Sequence, residues 1–306
     1  MAEAAAEGSA AFERSGFGDT VRVAAIQDIL QVEAIETDIY RGPSFPSHLQ
    51  RTFGGQVAGQ ALVSAVRTVS DEFHVHSLHG YFLRPGDPDR PAVFLVDRIR
   101  DGRSFVTRRV TGVQQGEAIF TMSASFHVPT DTGVEHQDRM PPAPQPHELP
   151  DRLAEATEEE LAPFREWEKF DIRIVPPERL VRSNYFAAQQ RVWFRYREPL
   201  PDNQVFHVGT LAYMSDMTLL GSARVPHPGV EPQIASLDHA MWFLRPFRAD
   251  EWLLYDQTSP SADAGRALTQ GRIFDLQGRM VAAVTQEGLA RTGRDVPADQ
   301  HARRPK

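Results

Sequence analysis

The stretch Leu276-Gln277-Gly278-Arg279-Met280-Val281-Ala282-Ala283-Val284-Thr285-Gln286 repeats an earlier one, Val113-Gln114-Gln115-Gly116-Glu117-Ala118-Ile119-Phe120-Thr121-Met122-Ser123-Ala124. With Gly116 laid over Gly278 the two read as strands in register. On a strand one face recurs every second residue. That face is Ala118, Phe120, Met122 and Ala124 in the first copy, and Met280, Ala282, Val284 and Gln286 in the second. An amide stands where the twin has a methyl. Burying an amide costs free energy unless it is paired. Gln286 is therefore expected to have a dedicated partner or to face a wet pocket.

The repeat extends outward from this pair. Leu83-Arg84-Pro85 recurs as Leu244-Arg245-Pro246, each after aromatics (Tyr81-Phe82; Trp242-Phe243) and a Ser-Leu pair (Ser77-Leu78; Ser236-Leu237). Next comes a strand over residues 92–99 or 251–257. A turn follows, Asp101-Gly-Arg-Ser104 or Asp263-Ala-Gly-Arg266, then a strand over 105–113 or 267–276. The glycines in the turns supply positive φ at low cost. Each half thus reads as a meander of long antiparallel strands, and the half is duplicated.

One helix is expected ahead of each meander. Residues 56–69, after Phe53-Gly54-Gly55, are apolar nearly all round, which marks a buried helix. Gly55 and Gly59 would share a face and let the sheet come close. The second helix is expected to start near Ser215-Asp216 and run through Leu219-Leu220. Residues 21–29 read as a further helix and 32–40 as the first strand. The sum is an α+β chain, each half a central helix wrapped by a curved antiparallel sheet. The expected divisions are a disordered lead at 1–20, a first unit at 21–128, a connector at 129–169, a second unit at 170–291 and a loose tail at 292–306. The connector is Pro-rich and ends in an acidic helix over 153–169.

Composition narrows function. The 306 residues carry 33 basic and 41 acidic side chains, a net charge of −8. This argues against a general nucleic-acid or anionic-membrane binder. There are no cysteines, which removes disulfides, thiolate metal sites and a cysteine nucleophile. No apolar run approaches the ~20 residues of a membrane helix, so no membrane insertion is expected. The start lacks the order of a secretion signal and the end lacks a Ser-Lys-Leu address, so the cytoplasm is the expected compartment.

The candidate residues have plain readings beside the functional ones. Asp216 precedes an apolar run and reads first as a helix N-cap, a position that also lowers a carboxylate's pKa and offers N–H groups to a ligand. Ser236, Asp238 and His239 contain the residue types of a triad, but triad side chains converge from separate segments, and so tight a spacing reads as an ordinary strand end. His74 and His76 would share a strand face, yet nothing nearby completes a metal set. Arg84 and Arg245 suit a phosphate, but both copies keep them, which favours a structural role.

Taken together, Phe53-Gly-Gly-Gln-Val-Ala-Gly-Gln-Ala-Leu62, His76-Ser-Leu-His-Gly-Tyr-Phe-Leu-Arg-Pro-Gly-Asp87, Leu211-Ala-Tyr-Met-Ser-Asp216, Ala235-Ser-Leu-Asp-His-Ala-Met-Trp-Phe-Leu-Arg-Pro-Phe247, Glu251-Trp-Leu-Leu-Tyr255 and Gln286-Glu-Gly-Leu-Ala-Arg291 resemble the acyl-CoA thioesterase II family. The resemblance implies a double hotdog fold and hydrolysis of acyl-CoA. It implies an Asp, a Thr or Ser, and a Gln that hold the hydrolytic water. These fall on Asp216, Ser236 and Gln286, with Ser236 where some members have Thr. No cofactor or metal is called for, and a homo-oligomer is expected because open sheet edges need cover. Two rivals stay open: a hotdog enoyl-CoA hydratase, which would need an Asp/His pair, and a non-catalytic acyl-CoA binder or sensor.

Overall fold

The computed structural model describes residues 23–47, 49–130, 133–151 and 166–293. Two tight connections organise the repeat. Gln115 (φ 52°) and Gly116 (φ 82°) turn β5 (Phe105–Gln114) into β6 (Glu117–His127). Gly278 (φ 77°) bends the link between β12 (Arg266–Asp275) and β13 (Met280–Arg291). There the Asp275 carboxylate accepts the N–H groups of Gln277 and Arg279. The period-two reading holds: Phe120, Met122 and Ala124 are buried, and so are Ala282, Val284 and Gln286.

The remaining strands are β1 (Glu33–Glu36), β2 (Ile39–Gly42), β3 (His74–Phe82), β4 (Ala92–Asp101), β7 (Phe170–Ile174), β8 (Gln189–Tyr196), β9 (Gln233–Ser236), β10 (Asp238–Phe243) and β11 (Leu253–Asp263). They form one antiparallel sheet in the order β1-β2-β4-β5-β6-β3-β10-β13-β12-β11-β8-β7, with β9 added against β13. The order is a palindrome of the duplication: β3, β6, β5 and β4 mirror β10, β13, β12 and β11. The halves meet where β3 pairs with β10, His79 opposite Ala240.

Two helices pack on this sheet, α2 (Gly54–Val66) and α3 (Gln204–Ser215), with the short α1 (Ile26–Leu30) against both. They run antiparallel in close contact. A Cβ built on Gly55 would run into the Tyr213 carbonyl, and one on Gly59 would lie 3.1 Å from the Gly209 carbonyl. The two glycines therefore serve the approach of helix to helix, not of helix to sheet as the sequence suggested. Core side chains from both helices and both halves form one apolar cluster, including Leu62, Leu211, Phe94, Phe120, Tyr255 and Ile273.

Other expectations are corrected. The second helix ends, rather than begins, at Asp216, which is the C-cap of α3. Its N-cap is Asn203, whose side chain accepts from Val205 N–H. Leu219–Arg224 forms a 3-10 turn. The expected first strand is a hairpin of β1 and β2, bent at Asp38 (φ 60°). The first helix is shorter, Ile26–Leu30. Gly102 has no positive φ. The lead, the tail beyond 293 and most of the acidic helix at 153–169 lie outside the described residues.

Candidate active site

Three segments deliver the site. β13 brings Gln286 inward opposite Thr269, whose hydroxyl donates to the Gln286 carbonyl at 2.9 Å. β9 lies on the far end of β13 with Ser236 opposite Gly288, which turns Ser236 toward the same interior. α3 ends at Asp216. The side chains meet directly: Gln286 Nε2 donates to Asp216 Oδ1 at 2.6 Å and to Ser236 Oγ at 2.7 Å, and Ser236 Oγ donates to Asp216 Oδ1 at 3.0 Å. Gln286 is fully buried, and its amide nitrogen has the dedicated partners that the repeat demanded.

Asp216 is not the N-cap of a following helix, but its carboxylate does meet a helix start, that of the other half. It ends its own helix, where the macrodipole disfavours a negative charge. Its carboxylate lies over the start of α2: the Gly55 N–H bonds to it, and a Cβ on Gly54 would lie 2.6 Å from Oδ2. The first turn of a helix presents unpaired N–H groups and the positive dipole end. The first half therefore supplies the platform and the second half the acid.

Although Asp216 as a residue keeps partial exposure, its carboxylate is enclosed. Burial raises its pKa above the ordinary carboxylate range. His239, Gln286, Ser236 and the Gly55 N–H pull it back down. A partly desolvated carboxylate is a stronger base than one in water.

His239, which the tight spacing from Ser236 set aside as a triad member, nevertheless lies in the site. On an unbroken strand Ser236 and His239 would point to opposite faces. The sheet pairing breaks at Leu237, between β9 and β10, and both turn inward. His239 is buried, and its Nε2 lies 2.8 Å from Ser215 Oγ, the residue before Asp216. Burial lowers its pKa, against the pull of Asp216. Ser236 and His239 form no nucleophilic dyad, since Ser236 donates to Asp216 instead. Asp238 is engaged elsewhere. It accepts the Glu287 N–H at 2.6 Å and meets His79 across the seam at 3.1 Å.

The first half lacks this arrangement. Ala124 holds the place of Gln286, and Arg108, opposite Ala124, holds that of Thr269. The Arg108 side chain is buried. It donates to Thr68 Oγ1 at 2.8 Å, to the Thr68 carbonyl at 3.2 Å and to the carbonyls of Arg100 and Thr107. Arg67 caps α2 where Asp216 caps α3. An arginine thus stands at the strand position that matches Thr269.

The remaining candidates are structural. Arg84 Nη1 donates to the Ala118 carbonyl at 2.8 Å and Arg245 Nη1 to the Met280 carbonyl at 2.9 Å, which are matching positions of the repeat. His76 pairs with Ser125. Among the described residues no cluster of three or more His, Asp or Glu is disposed to hold a metal.

Residues 43–127 match the family described as acyl-CoA thioesterase N-terminal domain, and residues 164–289 match that described as acyl-CoA thioesterase. The chain is 37% identical to acyl-coenzyme A thioesterase 8 of Mus musculus, across 91% of this chain and 92% of that one. The chain belongs to the acyl-CoA thioesterase family. It is a thioester hydrolase. This thioesterase is also 34% identical to acyl-CoA thioesterase 2 of Haemophilus influenzae, over 86% of this chain and 96% of that one. An acyl-CoA thioesterase II from Mycobacterium marinum superposes with a TM-score of 0.79 at 59% identity, covering 88% of this chain and 99% of that one. A protein from Alicyclobacillus acidocaldarius described as having a hot dog fold superposes with a TM-score of 0.72 at 20% identity, over 89% of this chain and 99% of that one, and shows the fold alone. The double hotdog architecture expected from the sequence is the one found.

Proposed function

We propose that the thioesterase hydrolyses fatty acyl-CoA to fatty acid and CoA by direct attack of a water on the thioester carbonyl, with Asp216, Ser236 and Gln286 as the residues that hold and activate that water. The observation that carries this reading is the closed set of hydrogen bonds among those three side chains, on a carboxylate placed at a helix N-terminus. Gln286 and Ser236 occupy Oδ1, so Oδ2, over Gly54, is the oxygen left to take a proton.

The step balances without cofactor or covalent intermediate. The water oxygen bonds to the thioester carbon and its proton passes to Asp216. The carbonyl oxygen, as it gains charge, is met by a backbone N–H in the first turn of α2. The C–S bond then breaks, and the departing thiolate takes up the proton that Asp216 received, which restores the carboxylate. A thiolate leaves readily, a free thiol having a pKa of about 8.5 by analogy with cysteine. Alignment, a proton acceptor and oxyanion stabilisation are the three contributions required.

A homo-oligomer is part of the reading. Tyr81 and Trp242, matching positions of the repeat on β3 and β10, are exposed, as are Leu83 and Leu244 just beyond them. Exposed apolar groups of this kind mark association surfaces. Among the described residues no helix is long and apolar enough to cross a membrane.

The test is thiol release from acyl-CoA, followed with a thiol-reactive dye. Asp216→Asn is expected to fold normally and to lose roughly 10²-fold or more in turnover. Ser236→Ala is expected to lose less. With crotonyl-CoA, any loss of enoyl absorbance should be matched by thiol release; loss without thiol release would mark a hydratase. A near-wild-type rate for Asp216→Asn overturns the assignment.

A further inference from the structure

The amide of Gln286 poses an accounting question. Its two N–H bonds both have acceptors, Asp216 Oδ1 and Ser236 Oγ. Its oxygen, Oε1, is enclosed by protein and meets no donor at hydrogen-bonding geometry. An unpaired buried acceptor is costly. His239 precedes Ala240, which pairs with Thr285, so it lies across from Gln286 on the neighbouring strand; its Nδ1 is also enclosed and also without a partner. A donor on that nitrogen would resolve both.

Whether Nδ1 carries a proton is decided at the far side of the ring. A neutral imidazole has one N–H and one lone pair. His239 Nε2 lies 2.8 Å from Ser215 Oγ, whose own proton has three outlets: Nε2, the Ala212 carbonyl at 3.0 Å and the weakly accepting Met241 Sδ at 3.3 Å. If the Ser215 proton goes to Nε2, the ring proton must be on Nδ1.

We propose that His239 is a positioning residue for Gln286: Ser215 donates to Nε2, and the Nδ1–H so fixed holds the carboxamide oxygen, leaving both amide protons aimed at Asp216 and Ser236. The chain of donors then runs in one direction, Ser215 to His239 to Gln286 to Asp216, and every member has an acceptor. Burial keeps the ring neutral, as this scheme needs. The opposite amide orientation would set Oε1 against Asp216 Oδ1, two acceptors at 2.6 Å. The proposal rests on the water-activating role given above to Asp216 and Gln286, because only then does the angle of the amide affect turnover.

Three variants separate a hydrogen-bonding role from mere bulk. The amide nitrogen of Asn reaches about where Nδ1 lies, and that of Gln about where Nε2 lies. His239→Asn is therefore expected to keep about tenfold more kcat than His239→Gln or His239→Phe, with KM within about twofold in all three, given matched thermal melting curves. Equal losses in the three folded variants, or none, overturn the proposal. A second measurement needs no variant to be active. Nitrogen NMR of the ¹⁵N-histidine-labelled wild-type protein, with the His239 signal identified by its disappearance in any of the variants or in one with a different side chain there, reads which ring nitrogen carries the proton. Nδ1–H is expected; Nε2–H on a neutral ring overturns the proposal. Because the tautomer is read independently of turnover, a fully active Asp216→Asn together with Nδ1–H would sink the catalytic reading, whereas Nε2–H sinks this one alone.

Discussion

Gly54→Ala tests the site through a residue that contributes no side chain to it. A Cβ at this position would lie 2.6 Å from Asp216 Oδ2 and 3.0 Å from Phe82 Cζ. Ordinary contact begins near 3.4 Å, so the carboxylate would have to withdraw by about 3.4 − 2.6 = 0.8 Å. It has nowhere easy to go. Its other oxygen is held by Gln286 at 2.6 Å and Ser236 at 3.0 Å, and the methyl cannot retreat because the Phe82 ring closes that side. A misplacement of about 1 Å at a reacting group costs on the order of 10²-fold in rate. Stability should hold or rise, since Ala favours a helix over Gly by roughly 0.5–1 kcal/mol in mid-helix and by less at a first position. The expected result is about 10²-fold less thiol release with an unchanged or higher melting temperature. A folded Gly54→Ala enzyme within about threefold of wild type would refute the placement of Asp216 on the start of α2. Loss of activity together with loss of fold would refute the claim that the damage is local.

Gln286→Leu fills the same space but removes a donor from the carboxylate, and is expected to lower kcat about 10- to 100-fold, the scale of a hydrogen bond to a charged group. The pH profile sharpens this test. The proposed mechanism needs ionised Asp216, and burial raises its pKa, so the acid limb of kcat should have its midpoint above 3.8, the ordinary value. Because Gln286 holds that pKa down, the Leu variant's midpoint should move further up; a downward shift would contradict the arrangement. Arg108→Met, which strips the Thr68 hydroxyl and carbonyl of their buried donor, should cost about 1–3 kcal/mol in denaturant unfolding and leave kcat within about twofold.

Much of the site is legible because the chain carries its own control. Gln286 stands out against Ala124, its twin, without any geometry, and the period-two burial of β13 turns it inward as that contrast implies. Asp216 stands out too, but as the N-cap of a following helix, which it is not. The error has a physical source. α3 is rich in β-branched and aromatic residues, Val205, Phe206, Val208, Thr210 and Tyr213, whose intrinsic helix preference is modest, and it is buried nearly all round, so no polar stripe announces it. Its one local signal is Asn203 as N-cap. Gly54 and Gly55 are visible as small residues at a helix start, yet that their open space belongs to Asp216 and Tyr213 depends on packing across the halves. His239 escapes any reading that assumes an unbroken strand.

The contrast between Arg108 and Gln286 has a consequence for what a polypeptide of this design can do. Two identical copies joined about a twofold would each have owned a cleft, and both clefts would have had to change together. Once fused, one half could keep its carboxylate while the other placed an arginine opposite Ala124, tying its strand to the turn that follows its helix. On the proposed mechanism the described residues hold one hydrolytic centre, and that centre straddles the join: neither half, expressed alone, contains both Asp216 and the helix tip on which it rests.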